Sequence, residues 1–153
     1  MWQLSGLRRR RSGEMNARIR LVESRVFAAV PTGVHQARDF VSAALLRRGA
    51  PEAVVGDYRL MVSELASNAI QHGAGSELTV IVNDSDPPWW DVAVVCTAAA
   101  TTQLPPLQEW RVADGQQGSG RGLGIVRKLA DDVIVGVCGH LISIRCRIRK
   151  ALA

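Results

Sequence analysis

Apolar residues recur along the chain with two periods, and these periods predict five strands and three helices. Alternation or a dense apolar run predicts strands at residues 21–30, 78–82, 90–97, 133–138 and 142–149. Helical spacing predicts helices that begin near Thr32, at Pro51 and near Gly120. The order is strand, helix, helix, strand, strand, long loop, helix, strand, strand. It predicts an α+β fold, a two-layer α/β sandwich with the helices on one face of a mainly antiparallel sheet.

Several residues are suited to the ends of these elements. Thr32 is a good N-cap for the first helix, because its hydroxyl can accept a hydrogen bond from a free backbone N–H. Gly49 suits the position just after that helix, where a left-handed conformation is common. Gly139 and His140 have the form of a two-residue hairpin turn between the last two strands.

The polar segment at residues 98–119 is too long for an ordinary connection. It contains Pro105, Pro106 and Trp110, and the sequence suggests no role for this tryptophan. A loop of this size inside a compact domain is usually a functional lid or a disordered segment. In the last predicted strand, Arg145 and Arg147 share a face with Arg149, which predicts either a solvated basic face or a contact for an acidic partner protein.

The positive charge of the chain is concentrated near its start. The net charge of the 153 residues is +5, and residues 1–14 contribute +3 of it, from four arginines and one glutamate. We therefore predict a basic, disordered tail at residues 1–18 and one domain at residues 19–150, with no direct binding of nucleic acid. No apolar run approaches the length of a membrane span, and the three cysteines lack metal-site spacing, so we expect a cytoplasmic protein without membrane contact.

Three polar residues of the second helix carry candidate chemistry. Glu64, Asn68 and His72 follow one another at four-residue spacing, which places them on one face of a helix. A carboxylate can take a proton, an amide oxygen can bind a hard cation, and an imidazole can meet an anion. Asn is a poor residue for a helix interior, so its presence there asks for a reason.

A glycine-rich stretch opens the third helix. Its candidate binding residues are Gly118, Gly120, Arg121, Gly122, Leu123 and Gly124. The N-terminus of a helix presents free N–H groups to phosphates, and glycine lets the backbone approach closely. An arginine there can add charge-assisted hydrogen bonds to a triphosphate. An acid and an amide on one helix, together with this loop, predict a nucleotide site.

The two motifs resemble those of a known family. The stretch from Ser63 to Ala69, Ser-Glu-Leu-Ala-Ser-Asn-Ala, looks like an N box, and Gly-Arg-Gly-Leu-Gly at residues 120–124 looks like a second glycine box. In this order and at this separation, over residues 22–148, the chain resembles the GHKL (Bergerat-fold) ATP-binding family. The nearest branch is the small stand-alone anti-sigma-factor serine kinases of bacterial partner-switching systems.

The resemblance implies a role for each site residue. Glu64 would be the general base, Asn68 would bind Mg²⁺, and His72 would lie near the phosphates of ATP. The residues from Gly118 to Gly124 would form the phosphate cradle. The implied cofactors are ATP and Mg²⁺. The implied partners are a sigma factor and an antagonist protein phosphorylated on serine, and a homodimer is expected by resemblance alone.

The chain departs from the family pattern where the base of the nucleotide would bind. The family has Asp-x-Gly-x-Gly after the central strand, and its Asp binds the adenine amino group. Here the alternation of the strand assigns that position to Thr97, with Ala99 and Thr101 in place of the glycines. A threonine hydroxyl carries no charge, so we expect ATP affinity to fall by about 10- to 150-fold.

These features leave three functions open. The first is an ATP-binding, anti-sigma-factor-like serine kinase that controls transcription. The second is a degenerate domain of the same fold that binds proteins, with weak or no nucleotide binding. The third is a stand-alone catalytic domain of the histidine-kinase type, although the chain lacks room for a phosphoacceptor helical hairpin.

Overall fold

The computed structural model describes residues 22–99, 104–111 and 121–151. The strands are β1 (Val22–Ala28), β2 (Gly73–Asn83), β3 (Trp89–Ala98), β4 (Asp132–Cys138) and β5 (Leu141–Arg149). The helices are α1 (Pro31–Arg47), α2 (Glu52–His72) and α3 (Arg121–Leu129), with one 3₁₀ turn at Leu107–Glu109. The predicted order of elements is confirmed. The predicted tail at residues 1–18 lies outside the described residues, and the division at residue 19 stays a prediction.

The five strands form one antiparallel sheet in the order β1-β2-β3-β5-β4, with β3 in the middle. The alternation predicted for the last strand is confirmed, because every second side chain of β5 is buried. These residues are Ile142, Ile144, Cys146 and Ile148. They form one hydrophobic core with the apolar stripes of the helices. The fold is therefore the predicted α+β sandwich, with the helices on one face of the sheet.

Tyr58 fastens α2 to the two middle strands. Its side chain is fully buried, and its hydroxyl oxygen lies 2.6 Å from the carbonyl oxygen of Trp90 and 3.0 Å from that of Cys146. The same oxygen accepts a hydrogen bond of 3.1 Å from the backbone N–H of Ile148. Burial raises the pKa of Tyr58 above its ordinary value, so the hydroxyl stays protonated and can donate. This contact fixes how α2, which carries the candidate site, lies over the sheet.

The structure corrects one predicted helix end and confirms another. The prediction of Thr32 as N-cap of α1 is wrong, because the helix already begins at Pro31, with Val30 in the N-cap position. Proline suits the first helical position, since it lacks the N–H that would have no partner there. Gly49 has a φ of +80°, which confirms the left-handed residue expected after α1.

Two of the three arginines of β5, Arg145 and Arg147, form ion pairs with carboxylates of the same chain. Asp91 of β3 is only 2% exposed, and the Arg145 Nε lies 2.8 and 2.7 Å from its two carboxylate oxygens. The Arg147 Nε lies 3.4 Å from the same carboxylate. The hydrogen bonds to Asp91 raise the pKa of Arg145. The prediction of a simply solvated basic face is therefore wrong for these two residues, because a buried carboxylate needs a charged partner and they supply it. A contact with an acidic partner protein stays a prediction.

Trp89 lies under two of these arginines, because the guanidinium groups of Arg147 and Arg149 lie 5.0 and 4.8 Å from the centroid of its ring. The adjacent Trp90 is 8% exposed and belongs to the core. The two tryptophans thus point to opposite faces of the sheet, as adjacent strand residues must. Among the described residues, no helix is both long enough and apolar enough to cross a membrane.

Candidate functional site

The three polar residues of α2 lie beside its buried stripe, as predicted. Leu65 and Ala69 face the core at 4% and 6% exposure. Glu64 and Asn68 are half-buried, whereas His72 is exposed and is the last residue of the helix. The half-burial of the first two shows that another element covers part of that face.

That element is the first turn of α3, which reaches the α2 side chains at Gly122. A Cβ atom added to Gly122 would lie 2.7 Å from the Glu64 Oε2 and 3.5 Å from the Asn68 Nδ2. The first distance is too short for a real contact and the second is an ordinary one, so only a residue without a side chain leaves the Glu64 carboxylate in this position. The structure therefore brings together two motifs that are far apart in sequence, and glycine is what permits the close approach.

Two buried side chains hold α3 in this place. Leu123 is 6% exposed and Val126 is fully buried, and both belong to the core. Gly124 is buried between them. Since α3 begins at Arg121, its free N–H groups lie at the end that meets Glu64 and Asn68. Gly118 and Gly120 lie outside the described residues, so their predicted role in the cradle stays a prediction, as does that of the Arg121 side chain.

We define the phosphate half of the site as Glu64, Asn68 and residues 122–124. Its groups are suited to a phosphate that carries a metal ion. A helix N-terminus attracts anions, and the amide oxygen of the adjacent Asn68 is a hard ligand of the kind that Mg²⁺ prefers. Among residues 22–99, 104–111 and 121–151, no three His, Cys, Asp or Glu side chains gather to hold a metal. A metal ion here would therefore depend on oxygens from its ligand as well as from the protein.

We define the base half of the site as Cys96, Thr97 and Ala98, at the end of β3. The side chains of this segment face other directions than the sequence predicts. Cys96 and Ala98 pack against the core, on the side of the helices. Thr97 alternates with them and is opposite the exposed Leu141 in the sheet register. Its side chain lies beside β2, because a Cβ atom added to Gly75 would be 3.2 Å from the Thr97 Oγ1. The Thr97 side chain therefore lies on the face away from the helices.

Cys96 is the residue of this half that the sequence reasoning missed. The sequence did indicate its position. Val92, Val94 and Cys96 are alternate residues of one strand, so Cys96 lies on the same face as the two valines, which are buried. Burial raises the pKa of the Cys96 thiol, so the group stays protonated and uncharged. Ala99 is half-buried, and Thr101 lies outside the described residues. No acidic side chain occurs from Cys96 to Ala99.

The connection between β3 and α3 is anchored at its middle. Trp110 is 3% exposed and belongs to the core, and its indole N–H donates a hydrogen bond of 2.9 Å to the Pro105 carbonyl. Arg127 of α3 donates to the carbonyl oxygens of Leu107 and Gln108, at 3.0 and 2.8 Å. The part of the predicted lid at residues 104–111 is thus fastened to α3, the helix that contributes residues 122–124 to the site.

A cleft of about 520 Å³ lies elsewhere, between β1 and α1. It is lined by residues such as Arg25, Phe27, Phe40 and Arg47, and it contains none of the predicted site residues. The Arg25 guanidinium lies 5.0 Å from the centroid of the Phe40 ring, and Arg47 is paired with Glu23. Its charged groups already have partners, so we do not assign the nucleotide to this cleft.

Comparison with known proteins identifies the family. The model of the histidine kinase-like ATPase domain matches residues 27–145, and the chain belongs to that family. Among solved structures, the chain is similar to the RsbU and RsbW domains of Rv1364c from Mycobacterium tuberculosis, with a TM-score of 0.57 and 13% identity. The match covers 84% of this chain and 32% of that one, so this chain spans about a third of that protein's length. No curated protein matches.

Proposed function

We propose that this chain is an ATP-binding regulator of the anti-sigma-factor serine kinase type. It would bind a sigma factor and transfer a phosphoryl group from ATP to a serine of an antagonist protein. The observation that carries this proposal is the convergence of Glu64 and Asn68 on Gly122. Membership of the histidine kinase-like ATPase family supports ATP as the ligand and Mg²⁺ as its metal.

Each residue of the site takes a separate part in the proposed reaction. The N–H groups at the start of α3 hold the phosphates, and Asn68 supplies an oxygen ligand to Mg²⁺. Glu64 accepts the proton of the attacking serine hydroxyl while a bond forms between that oxygen and the γ-phosphorus. The bond from the γ-phosphorus to the bridging oxygen breaks, and ADP leaves. With water in place of serine, the same steps hydrolyse ATP.

Partner binding extends this proposal beyond the site. A sigma factor and an antagonist protein are the partners implied by the resemblance of the N box and second glycine box. The same resemblance leads us to expect that the chain forms a homodimer in the cytoplasm. His72, exposed at the end of α2, is proposed to lie near the phosphates. The similar solved structure contains a domain named RsbW, which supports the fold.

One observation favours a second candidate, a domain that binds proteins and has lost most nucleotide affinity. The helix-facing residues at the end of β3 are Cys96 and Ala98, and neither can accept a hydrogen bond as a carboxylate does. The base half therefore lacks the acidic partner on which adenine binding depends in the family. The phosphate half, which retains Glu64 and Asn68, favours the first candidate.

Calorimetric titration with ATP, with and without Mg²⁺, distinguishes the two candidates. For an active kinase we expect binding that requires Mg²⁺, with a Kd in the range of about 1 μM to 1 mM. Glu64→Gln should keep this binding and lose ADP formation, because the amide cannot accept the proton. Failure to bind ATP at any accessible concentration would contradict the first candidate and favour the protein-binding domain.

A further inference from the structure

Strand β4 lies at one edge of the sheet and has a single charged residue, Asp132, at its first position. Nothing pairs with its outer side in the part of the chain that the structure describes. From residue 133 to residue 138 it reads Val-Ile-Val-Gly-Val-Cys, with no proline and no charged side chain. Ile134, Val135 and Val137 are 41%, 37% and 68% exposed. Such an edge is a template for another strand, and proteins usually protect it with charges, proline or a covering element.

The opposite edge has that protection. Strand β1 is also seven residues long, but it contains Glu23 and Arg25. Glu23 accepts hydrogen bonds of 2.7 and 3.0 Å from Arg47 and Arg48. Arg25 is the middle residue of β1, so the full-length antiparallel pairing of two β1 strands would place Arg25 opposite its own copy. Like charges opposite each other destabilise a strand pair.

We propose that β4 pairs antiparallel with β4 of a second copy of this chain, about a twofold axis at Val135. Val135 is the middle residue of Asp132–Cys138, so this register uses the whole strand. Val133 would lie opposite the partner's Val137, and Ile134 opposite the partner's Gly136. The two sheets would become one sheet of ten strands, since each contributes five.

The charges and shapes of β4 are self-complementary in this register. Asp132, its one charged residue, lies opposite the partner's Cys138, so no like charges face each other. Asp132 also retains the ion pair with Arg147 of its own chain, in which the Arg147 Nη1 lies 3.6 Å from the Asp132 Oδ2. On the helix side, valine meets valine in all three pairs, and β-branched pairs stabilise neighbouring strands. On the other side, each isoleucine covers a glycine. A twofold axis also closes the assembly at this edge, because the same strand is used by both copies.

The interface does not involve the nucleotide site, so its test is independent of ATP binding. Sedimentation of the full chain without nucleotide should show a dimer, and Val135→Lys should weaken dimerisation at least about tenfold, because two lysines meet at the axis. Val26→Lys is the matched control, since Val26 is an exposed valine in the edge strand β1. It should dimerise like the unchanged protein. A monomeric unchanged protein, or dissociation by Val26→Lys alone, would overturn the proposal.

A disulfide test remains valid if the lysine variant fails to fold. Residues directly opposite in an antiparallel pair have Cα atoms about 4.5–5.5 Å apart, a separation that a disulfide can bridge. With the exposed Cys138 first replaced by serine, Val135→Cys should form a covalent dimer on mild oxidation. Val26→Cys in the same background should stay monomeric on a non-reducing gel. No covalent dimer from Val135→Cys would exclude the register, and an equal yield from both variants would exclude the choice of edge.

Discussion

The phosphate half and the base half of the site lie in the same domain but differ in how much of the chemistry the chain supplies. In the phosphate half, an acid and an amide from α2 meet a glycine from α3. In the base half, the end of β3 turns a thiol and a methyl group toward the helices and points Thr97 away from them. Because the proposed nucleotide site divides into these two halves, each half can be tested alone.

The largest expected effect is in the phosphate half. Asn68→Ala should weaken Mg²⁺-dependent ATP binding by about 10- to 150-fold, the usual cost of losing a bond to a charged group. Calorimetric titration measures this change. Gln71→Ala, an exposed change on the same helix, should leave both affinity and the unfolding temperature unaltered. Equal affinity of Asn68→Ala and the unchanged protein would show that phosphate does not bind here.

A smaller effect is expected from Gly122→Ala. The new Cβ would lie 2.7 Å from the Glu64 Oε2, and the long glutamate side chain can swing away. The fold should survive, but the base is displaced, so ADP formation should slow by about tenfold, or roughly 1.4 kcal/mol, while ATP affinity changes less. Steady-state ATPase kinetics measure the two separately.

The matched control for that change is Gly56→Ala, also at a helical glycine. A Cβ at Gly56 would meet nothing within 4 Å. ATP turnover should stay the same, and the free energy of unfolding should rise by about 0.5–1 kcal/mol, because alanine favours helix. If both alanine variants kept full turnover, the contact between Gly122 and Glu64 would have no part in the chemistry.

In the base half, the two neighbouring residues of β3 should respond differently to a new acid. Cys96→Asp, on the helix side, should tighten ATP binding by up to about tenfold, since a carboxylate could bind the adenine amino group. Thr97→Asp, on the other face, should change the affinity by less than about threefold. Titration of both variants, with thermal melts to record any cost of the buried charge, compares them. The opposite ranking would mean that Thr97 faces the nucleotide, as the sequence alone predicts.

The smallest expected effect is that burial and bound ATP protect the Cys96 thiol from alkylation. Because its raised pKa lowers the thiolate fraction at a given pH, alkylation should be slow below pH 8 and should accelerate as the pH rises. The exposed Cys138 should react first, and Cys146, whose pKa burial raises to about 12, should react last. Added ATP should slow only Cys96. Mass spectrometry of timed samples resolves the three, and equal rates with and without ATP would place the base elsewhere.

Much of the fold follows from local patterns in the sequence. The order of strands and helices, the buried side of β5 and the left-handed Gly49 were predicted correctly, because periodicity and turn chemistry act over a few residues. The N box and second glycine box also identified the family that comparison confirms. Thr32 was predicted wrongly as a cap, since Pro31 could begin the helix one residue earlier.

The tertiary structure alone decided the features that depend on contacts between distant segments. It brought Gly122 against Glu64, placed Thr97 on the outer face of the sheet, and paired the buried Asp91 with Arg145. A sequence pattern shows which residues share a face of one element, but not which element packs against that face. Packing settles this, because each close approach must fit the volume and charge of side chains from elsewhere in the chain.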